Sequence, residues 1–412
     1  MQEQQELIPH LFRSEYGKIV AVLTTLFGFD QIEIAEDIAA DTFVIAVETW
    51  GLKGLPVNPT AWLYNVAKNN AKNYLKKKAV FLQKITPALQ ATSLQNEEVA
   101  IDLSTQNITD SQLQMMFAIC NPSLPTEAQI CLALRVLCGF GIEEIADAFL
   151  CSKETINKRL FRAKEKLRAE NIKIELPTQN HINERLNTVL ATIYLLFNEG
   201  YYSISHNAVL RKDFCLEAIR LCYLLVENNS TNKPSVNALL SLMCFHASRF
   251  EARTNPSGEF VLYDAQDTLL WNAELIEKGE HFLNRAANGD NISKYHLEAA
   301  IAYWHTHKTD TEDKWKNILQ LYDLLLKIEY SPIAALNRIY ALSKVVGKMK
   351  AIAETKRTAT TNNFYYFVLM GELHIAVDDH KAIEYFKQAL TLSKTANDKN
   401  IIQHKIDMLN GE

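Results

Sequence analysis

The chain has 412 residues, a length that predicts two or three domains. Its hydrophobic share of 48% is enough for packed cores and excludes wholesale disorder. The net charge of −5 is unremarkable, but basic residues are concentrated in two stretches, residues 68–78 and 153–173. Such local patches, rather than the total charge, indicate nucleic-acid binding.

The seven cysteines indicate a reducing compartment, because their number is odd, no CxxC spacing occurs and most lie in helical patterns. Cys215 and Cys222 have no histidine at a ligand spacing, and His305 and His307 point apart on a helix, so no metal site is expected. The N-terminal residues lack a signal-peptide pattern, and no apolar run approaches membrane-spanning length. We therefore expect a cytoplasmic protein with no membrane association, metal or cofactor.

The first 79 residues predict three helices. Gly28 ends the first, the second covers residues 34–50, and a loop over 51–59 leads to a third helix that Thr60 is expected to cap. The second helix has an acidic face opposite its apolar one, formed by Glu33, Glu36, Asp37 and Asp41.

The third helix mixes aromatic and basic side chains, with Trp62, Tyr64 and Tyr74 among Lys68, Lys72, Lys76, Lys77 and Lys78. This mixture suits unpaired DNA, because bases stack on aromatic rings, asparagine reads base edges and lysine follows phosphates. The alternative is that Trp62 belongs to the core while the lysines only solubilise the helix end. For Trp62 the two interpretations are equally supported.

Residues 80–112 lack a sustained period and are rich in Gln, Thr, Ser and Asn, which predicts a linker with at most short helical pieces. Helices are expected at 113–121 and 126–138, before a helix-turn-helix at 141–168. There, Leu150 and Cys151 form the turn and Ser152 is expected to cap the basic second helix. An ordinary helical hairpin with a solvated basic face is the alternative.

From residue 183 onward the pattern predicts helix after helix, over residues 213–227, 236–250, 266–285, 295–305, 311–328, 332–345, 364–376 and 381–392. Ala382, Phe386 and Ala389 have the spacing of the second helix of a tetratricopeptide (TPR) repeat. Earlier pairs keep no strict period. We therefore predict a degenerate TPR-like array, an architecture that builds concave binding surfaces.

No catalytic motif stands out: GxSxG, Walker A, GxGxxG and HExxH are all missing from the sequence, so no enzyme is expected. One polar and aromatic cluster is a candidate pocket in the extension, formed by Asn198, Glu199, Tyr201 and Tyr202. The alternative is a helix C-cap at Gly200 with the aromatic rings packed behind it.

Three blocks together resemble the extracytoplasmic-function (ECF) sigma factors of RNA polymerase, a branch of the sigma-70 family. They are AEDIAADTFVIAVETW (35–50), NPTAWLYNVAKNNAKNYLKKK (58–78) and EEIADAFLCSKETINKRLFRAKEKLR (143–168). The extension is similar to that of a subgroup with a C-terminal TPR-like region, through residues 194–202, 266–271 and 331–342. This resemblance implies an all-α fold with sigma region 2 at 1–79, a linker at 80–112, the region 4 helix-turn-helix at 113–173 and the helical extension at 183–412.

The resemblance also implies three sets of site residues. The core polymerase set is Glu36, Asp37, Asp41 and Phe43, whose acidic members would meet the basic clamp helices of the polymerase. The minus-ten set is Trp62, Asn69, Asn70, Lys72, Asn73, Lys76 and Lys77. The minus-thirty-five set is Ser152, Lys153, Thr155, Asn157, Lys158, Arg159 and Arg162.

The expected function is therefore promoter-specific initiation together with core RNA polymerase and promoter DNA. The C-terminal helices would regulate it, through an intramolecular contact between the sigma domains and the extension. The alternative is a DNA-tethered helical-repeat scaffold for protein interaction, or a one-component transcription regulator.

Overall fold

The computed structural model describes residues 2–85, 100–201, 211–255, 261–289, 291–358, 363–393 and 395–411. The fold is all-α, as predicted, and the described residues form eighteen α-helices. The chain divides into two compact units, Met1–Leu195 and Leu196–Glu412.

The helices of the first unit bring its N-terminal and helix-turn-helix segments into one body. They are α1 (Gln2–Phe27), α2 (Ile32–Lys53), α3 (Pro59–Ile85), α4 (Thr105–Ile119), α5 (Thr126–Leu132), α6 (Ile142–Ala148), α7 (Lys153–Ala169) and the first part of α8 (Ile182–Tyr201). Helix α1 packs against α2, α3 and α4. Tyr16, Ile19 and Leu23 on α1 are fully buried, so this helix supplies the centre of the core.

Helix ends in this unit follow local capping chemistry. Gly28 ends α1 with φ of 88°, a conformation that favours glycine. The start of α3 corrects the expected cap: the Asn58 side chain accepts the Ala61 N–H at 3.0 Å, and Pro59 holds the first helical position, so Thr60 lies inside the helix. Since α3 runs to Ile85 and α4 begins at Thr105, both helices enter the stretch that was expected to be a linker.

The boundary between the two compact units falls after Leu195, inside α8 and beyond residue 183, where the extension is expected to start. The first part of this helix belongs to the first unit. There, the Thr192 hydroxyl donates to Gln129 Oε1 at 2.6 Å, and Arg185 Nη2 donates to the Phe117 carbonyl at 2.6 Å. These bonds to α4 and α5 make residues 182–195 part of the helix-turn-helix support.

The second unit contains α9 (Lys212–Glu227), α10 (Pro234–Ala247), α11 (Ala273–Ala286), α12 (Lys294–Trp304), α13 (Glu312–Ile328), α14 (Pro332–Val346), α15 (Lys348–Thr358), α16 (Phe364–His374), α17 (Asp379–Leu392) and α18 (Ala396–Asn410). Helices α15 and α18 were not predicted. The helix expected over 266–285 begins only at Ala273, because the Asn272 side chain accepts the Leu275 N–H at 3.0 Å and so caps it there.

The α16–α17 pair, for which the sequence predicts a TPR-like arrangement, is closely packed. Ala382, Phe386 and Ala389 are all completely buried. Gly371 on α16 faces the Phe386 ring so closely that a Cβ atom there would overlap it. Small and large residues thus interlock across the pair. In the described part of the chain, no helix is both long and apolar enough to cross a membrane.

Candidate nucleic-acid interface

The helix-turn-helix is built by α6 and α7. Glu144 accepts the Gly141 N–H at 2.7 Å and fixes the start of α6. Leu150 takes a φ of 47° in the turn, and the Cys151 N–H donates to the Ala146 carbonyl at 3.0 Å. Ser152 caps α7 as predicted, since its hydroxyl oxygen accepts the Thr155 N–H at 3.1 Å.

Helix α7 has one buried and one exposed face. The buried residues are Ile156, Leu160, Ala163, Lys164 and Leu167. The exposed residues include six from the minus-thirty-five set: Ser152, Lys153, Thr155, Asn157, Lys158 and Arg162. Lys153 pairs with Glu143, and Lys158 pairs with Glu154 at 2.6 Å. Exposed pairs of this kind are weak, so both lysines can exchange a carboxylate for a phosphate.

Arg159 departs from the expected set. Its guanidinium lies 5.7 Å from the centre of the Phe149 ring, and its Nη1 atom donates to Cys131 Sγ at 3.6 Å. The Arg159 side chain is half-buried and packs against these two residues. Arg159 therefore does not share the exposed face of α7.

Phe161 lies on this face but was not singled out from the sequence. Its side chain is 64% exposed. The signal in the sequence was its spacing, since it follows Asn157 by one helical turn. An aromatic ring at a major groove can contact the thymine methyl group.

The minus-ten set lies along α3. Asn69, Asn73, Lys76 and Lys77 are exposed, while Trp62, Asn70 and Lys72 are partly exposed. The Trp62 ring meets the buried Trp50 edge to face, with centroids 5.3 Å apart. Trp62 is thus packed on one side and open on the other. It is neither a fully buried core residue nor a fully exposed side chain.

Two tyrosines of α3 are tied to the rest of the first unit. The Tyr64 hydroxyl donates to Glu15 Oε2 at 2.5 Å, and the Tyr74 hydroxyl donates to Gln31 Oε1 at 2.8 Å. Burial and the hydrogen bond to Glu15 raise the pKa of Tyr64 above its usual range. These tyrosines fix the orientation of α3 and leave its asparagines and lysines facing outward.

The polymerase set on α2 is divided by the structure. Asp37 and Asp41 are exposed, as an acidic contact surface requires. Glu36 and Phe43 are only 8% and 4% exposed, which corrects their expected availability. Glu36 is paired with Lys164 of α7, and the Phe43 ring packs on Phe12 with centroids 4.9 Å apart.

Comparisons with known proteins agree with this layout. Residues 11–80 match sigma-70 region 2, residues 122–167 match sigma-70 region 4, and residues 185–287 match a family of unknown function (DUF6596). An uncharacterized protein of Rhizobium meliloti (strain 1021) is 31% identical over 402 residues, which cover 93% of this chain and 92% of that protein. The chain belongs to the sigma-70 family, as an ECF-type sigma factor with a C-terminal extension.

Named ECF sigma factors match the N-terminal part of the chain. The ECF RNA polymerase sigma-E factor of Haemophilus influenzae is 29% identical over 163 residues, 38% of this chain and 83% of that protein. The sigma-E factor of Escherichia coli (strain K12) is 31% identical over 112 residues, 25% of this chain and 56% of that protein. No solved structure matches the chain. The predicted family is confirmed.

The residues of the candidate pocket in the extension of this sigma factor are mostly buried or half-buried. Tyr202 lies outside the described residues, while Asn198 and Glu199 are half-buried and Tyr201 is 1% exposed. Burial raises the pKa of the Glu199 carboxyl. The Arg253 guanidinium lies 3.8 Å from the centre of the Tyr201 ring, which supports packed aromatics at this position.

Gly200 is not the helix C-cap that the alternative interpretation of this segment expected. Helix α8 continues through it to Tyr201, and a Cβ atom on Gly200 would lie 2.7 Å from the Arg211 carbonyl oxygen and 2.8 Å from Cys215 Sγ. The glycine therefore allows the start of α9 to approach α8 closely. Within the described ranges, no three His, Cys, Asp or Glu side chains are placed to hold a metal ion.

Proposed function

We propose that this sigma factor holds core RNA polymerase through the exposed acidic side of α2 and grips two promoter elements through α3 and α7. The observation that carries the proposal is the exposed polar face of α7 on a helix-turn-helix, in a chain that also contains sigma region 2. A basic recognition helix in this framework enters the DNA major groove.

The proposed polymerase contact consists of the α2 residues that are exposed. Asp37 and Asp41 supply negative charge, and Glu48 extends the acidic surface one turn beyond Val44, which is 54% exposed. Such a surface is complementary to basic clamp helices, with an apolar centre that gains from burial. Phe43 has a supporting role here, because it is buried beneath this face.

The proposed minus-ten contact uses the open side of Trp62 as a stacking platform. A base that leaves the duplex can stack on this ring, which the contact with Trp50 already holds in place. Asn69 and Asn73 then reach base edges, while Lys76 and Lys77 follow the phosphates of the opened strand.

The proposed minus-thirty-five contact uses Thr155 and Asn157 at the groove, with Arg162 and the lysines on the phosphates at its edges. Phe161 adds an apolar contact suited to a thymine methyl group. Arg159 is left out, because it supports the framework through Phe149 and Cys131.

Reconstituted transcription with purified core polymerase tests the proposal. Asp41→Lys reverses one exposed charge on α2, so we expect weaker core binding and less transcript. Glu277→Lys is the control, since it makes the same kind of reversal at an exposed position on α11. If the wild-type chain does not bind core polymerase, or if the Asp41 and Glu277 variants bind alike, this assignment is wrong.

We further propose that the extension regulates initiation. Its support is the separation of residues 196–412 into their own compact unit, beyond both sigma regions. A truncation tests this, and it must keep α8 whole because Arg185 and Thr192 bond to the helix-turn-helix support. If residues 1–201 initiate more strongly than the full chain, the extension inhibits, and if they initiate more weakly, it is required. Equal activity would rule out regulation and favour the interaction scaffold.

A further inference from the structure

One buried side chain fastens the support loop (residues 121–124), which connects α4 to α5. Gln129 of α5 is 4% exposed, and its Nε2 atom donates to the Asn121 carbonyl at 3.0 Å and to the Leu124 carbonyl at 2.9 Å. Both amide hydrogens are used in this way, so the Oε1 atom needs a donor from another part of the chain. That donor is the Thr192 hydroxyl of α8, at 2.6 Å.

Helix α8 is bonded to the same region at a second point. Arg185 Nη2 donates to the Phe117 carbonyl at 2.6 Å, in the last turn of α4 before the support loop. A cation at a helix C-terminus also interacts favourably with the helix dipole. The first part of α8 buries a stripe of apolar side chains, each at most 2% exposed: Ile182, Leu186, Val189, Leu190 and Ile193. Residues 182–195 are therefore packed into the first unit.

The support loop in turn bonds to the C-terminal half of α7. Lys166 Nζ donates to the Ser123 carbonyl at 2.5 Å, and α7 also packs against α5, the helix that carries Gln129. From Lys166 to Ser152, α7 extends about 21 Å at 1.5 Å per residue. A tilt of about 3° at Lys166 therefore moves the DNA-reading end by about 1 Å. Base-edge hydrogen bonds tolerate less, because their donor–acceptor distances vary by only about 0.5 Å.

We propose that Thr192 and Arg185 are positioning residues for promoter recognition. Through Gln129 and the support loop, they hold α7 at the angle at which its side chains read the minus-thirty-five element. This role rests on the proposed function of α7. It assigns a task to the first part of α8, which lies beyond the region 4 match and includes the first residues of the match to the family of unknown function.

Loss of the Thr192 hydroxyl should impair the reading of bases more than the binding of phosphates. Thr192→Val leaves Gln129 Oε1 buried without a donor, and the amide cannot recover by rotating, because its oxygen would then face the two support-loop carbonyls. The anchor of α7 is thereby loosened. Flexible lysines still reach the phosphates after a small tilt, whereas the base-edge contacts of Thr155 and Asn157 need a fixed geometry.

Reconstituted transcription with core polymerase and the full-length chain tests this inference. Two templates, chosen by sequencing the DNA that the protein binds in its host, share one minus-ten element, and only one of them keeps an intact minus-thirty-five element. We expect Thr192→Val to lower transcription from the intact template about fivefold and to leave the scrambled template at its wild-type level. A loss of folding or of core binding would lower both templates, so the ratio between them reports the position of α7.

Matched variants separate positioning from general stability. Thr192→Ser keeps a donor hydroxyl and should restore the wild-type ratio. Thr188→Val makes the same substitution one turn earlier on α8, where the residue contributes to this network through its carbonyl, so the wild-type ratio is expected. Arg185→Gln provides a second route if Thr192→Val fails to fold, because it removes the bond to the Phe117 carbonyl from a side chain that is partly exposed.

The outcomes separate this inference from the proposed function. If Thr192→Val and Arg185→Gln both keep the wild-type ratio, or if Thr192→Ser does not restore it, positioning through α8 is wrong while the minus-thirty-five role of α7 stands. If the wild-type protein itself transcribes both templates equally, α7 does not read the upstream element, and the inference falls with that assignment.

Discussion

Arg162 and Arg159 provide the sharpest test of how α7 meets DNA, because the sequence treats these two arginines alike and the structure separates them. Arg162 is exposed and has no ion pair among the described residues. Arg159 is half-buried over the Phe149 ring, with Cys131 as its hydrogen-bond acceptor. We expect Arg162→Ala to lose a phosphate contact and Arg159→Ala to lose none.

The magnitude follows from counterion release. Each phosphate contact contributes about 0.9 to the slope of log affinity against log salt concentration. Arg162→Ala should therefore lower this slope by about one. Over a fourfold change in salt, from about 50 to 200 mM, the deficit of the variant should shrink about 3.5-fold. Arg159→Ala should leave the slope unchanged and cost about 0.5–1 kcal/mol of unfolding free energy through the lost ring contact.

Fluorescence anisotropy with a labelled duplex measures the salt dependence of DNA binding for each full-length variant. The duplex is chosen by sequencing the DNA that the protein binds in its host. Thermal unfolding of each variant, measured in parallel, separates lost contacts from lost folding. If the slope is unchanged in Arg162→Ala, or falls equally in Arg159→Ala, the assignment of the exposed face of α7 is wrong.

Three further predictions concern stability. Gly200→Ala should gain about 1 kcal/mol from helix propensity. It should lose more, about 1–3 kcal/mol, because the new methyl group would overlap the Arg211 carbonyl oxygen, so the melting temperature of the extension should fall. Gly51→Ala is the control, because open space surrounds its Cβ position in α2, and it should stabilise; equal shifts would contradict this reasoning. Burial of His305, together with the nearby positive charges of Arg249 and Lys314, lowers the pKa of this histidine to about 4. The unfolded chain therefore binds a proton more readily than the folded chain, and stability is lost as pH falls below about 6.5. Between pH 7 and pH 5, the free energy of unfolding should fall by about 2 kcal/mol more in the wild type than in His305→Gln. Parallel pH profiles for the two proteins would contradict this prediction. Thr192→Val should cost about 1–3 kcal/mol in chemical denaturation, because Gln129 Oε1 loses its buried donor; an unchanged midpoint would show that this bond contributes nothing.

The sequence by itself determined the features that depend on neighbours along the chain. Ser152 and the apolar stripe from Ile156 to Leu167 predicted α7 and its cap, because capping and helical period act within a few residues. The ordered set of three motifs identified the sigma family, and each motif falls on the helix expected to carry it. The exposure of Asp37 and Asp41 likewise follows from the period of α2.

Only the tertiary structure decided which members of each set face outward. The helical period of α2 places Glu36 on the same acidic face as Asp37. In the structure, however, Glu36 is buried against Lys164, which lies 128 residues later, and no local sequence pattern encodes that partner. Gly200 looked like a helix end because glycine serves both as a cap and as a point of close approach, and only the position of α9 distinguishes the two roles. Long-range packing thus assigned these residues their roles, since burial depends on contacts between segments that the sequence does not place side by side.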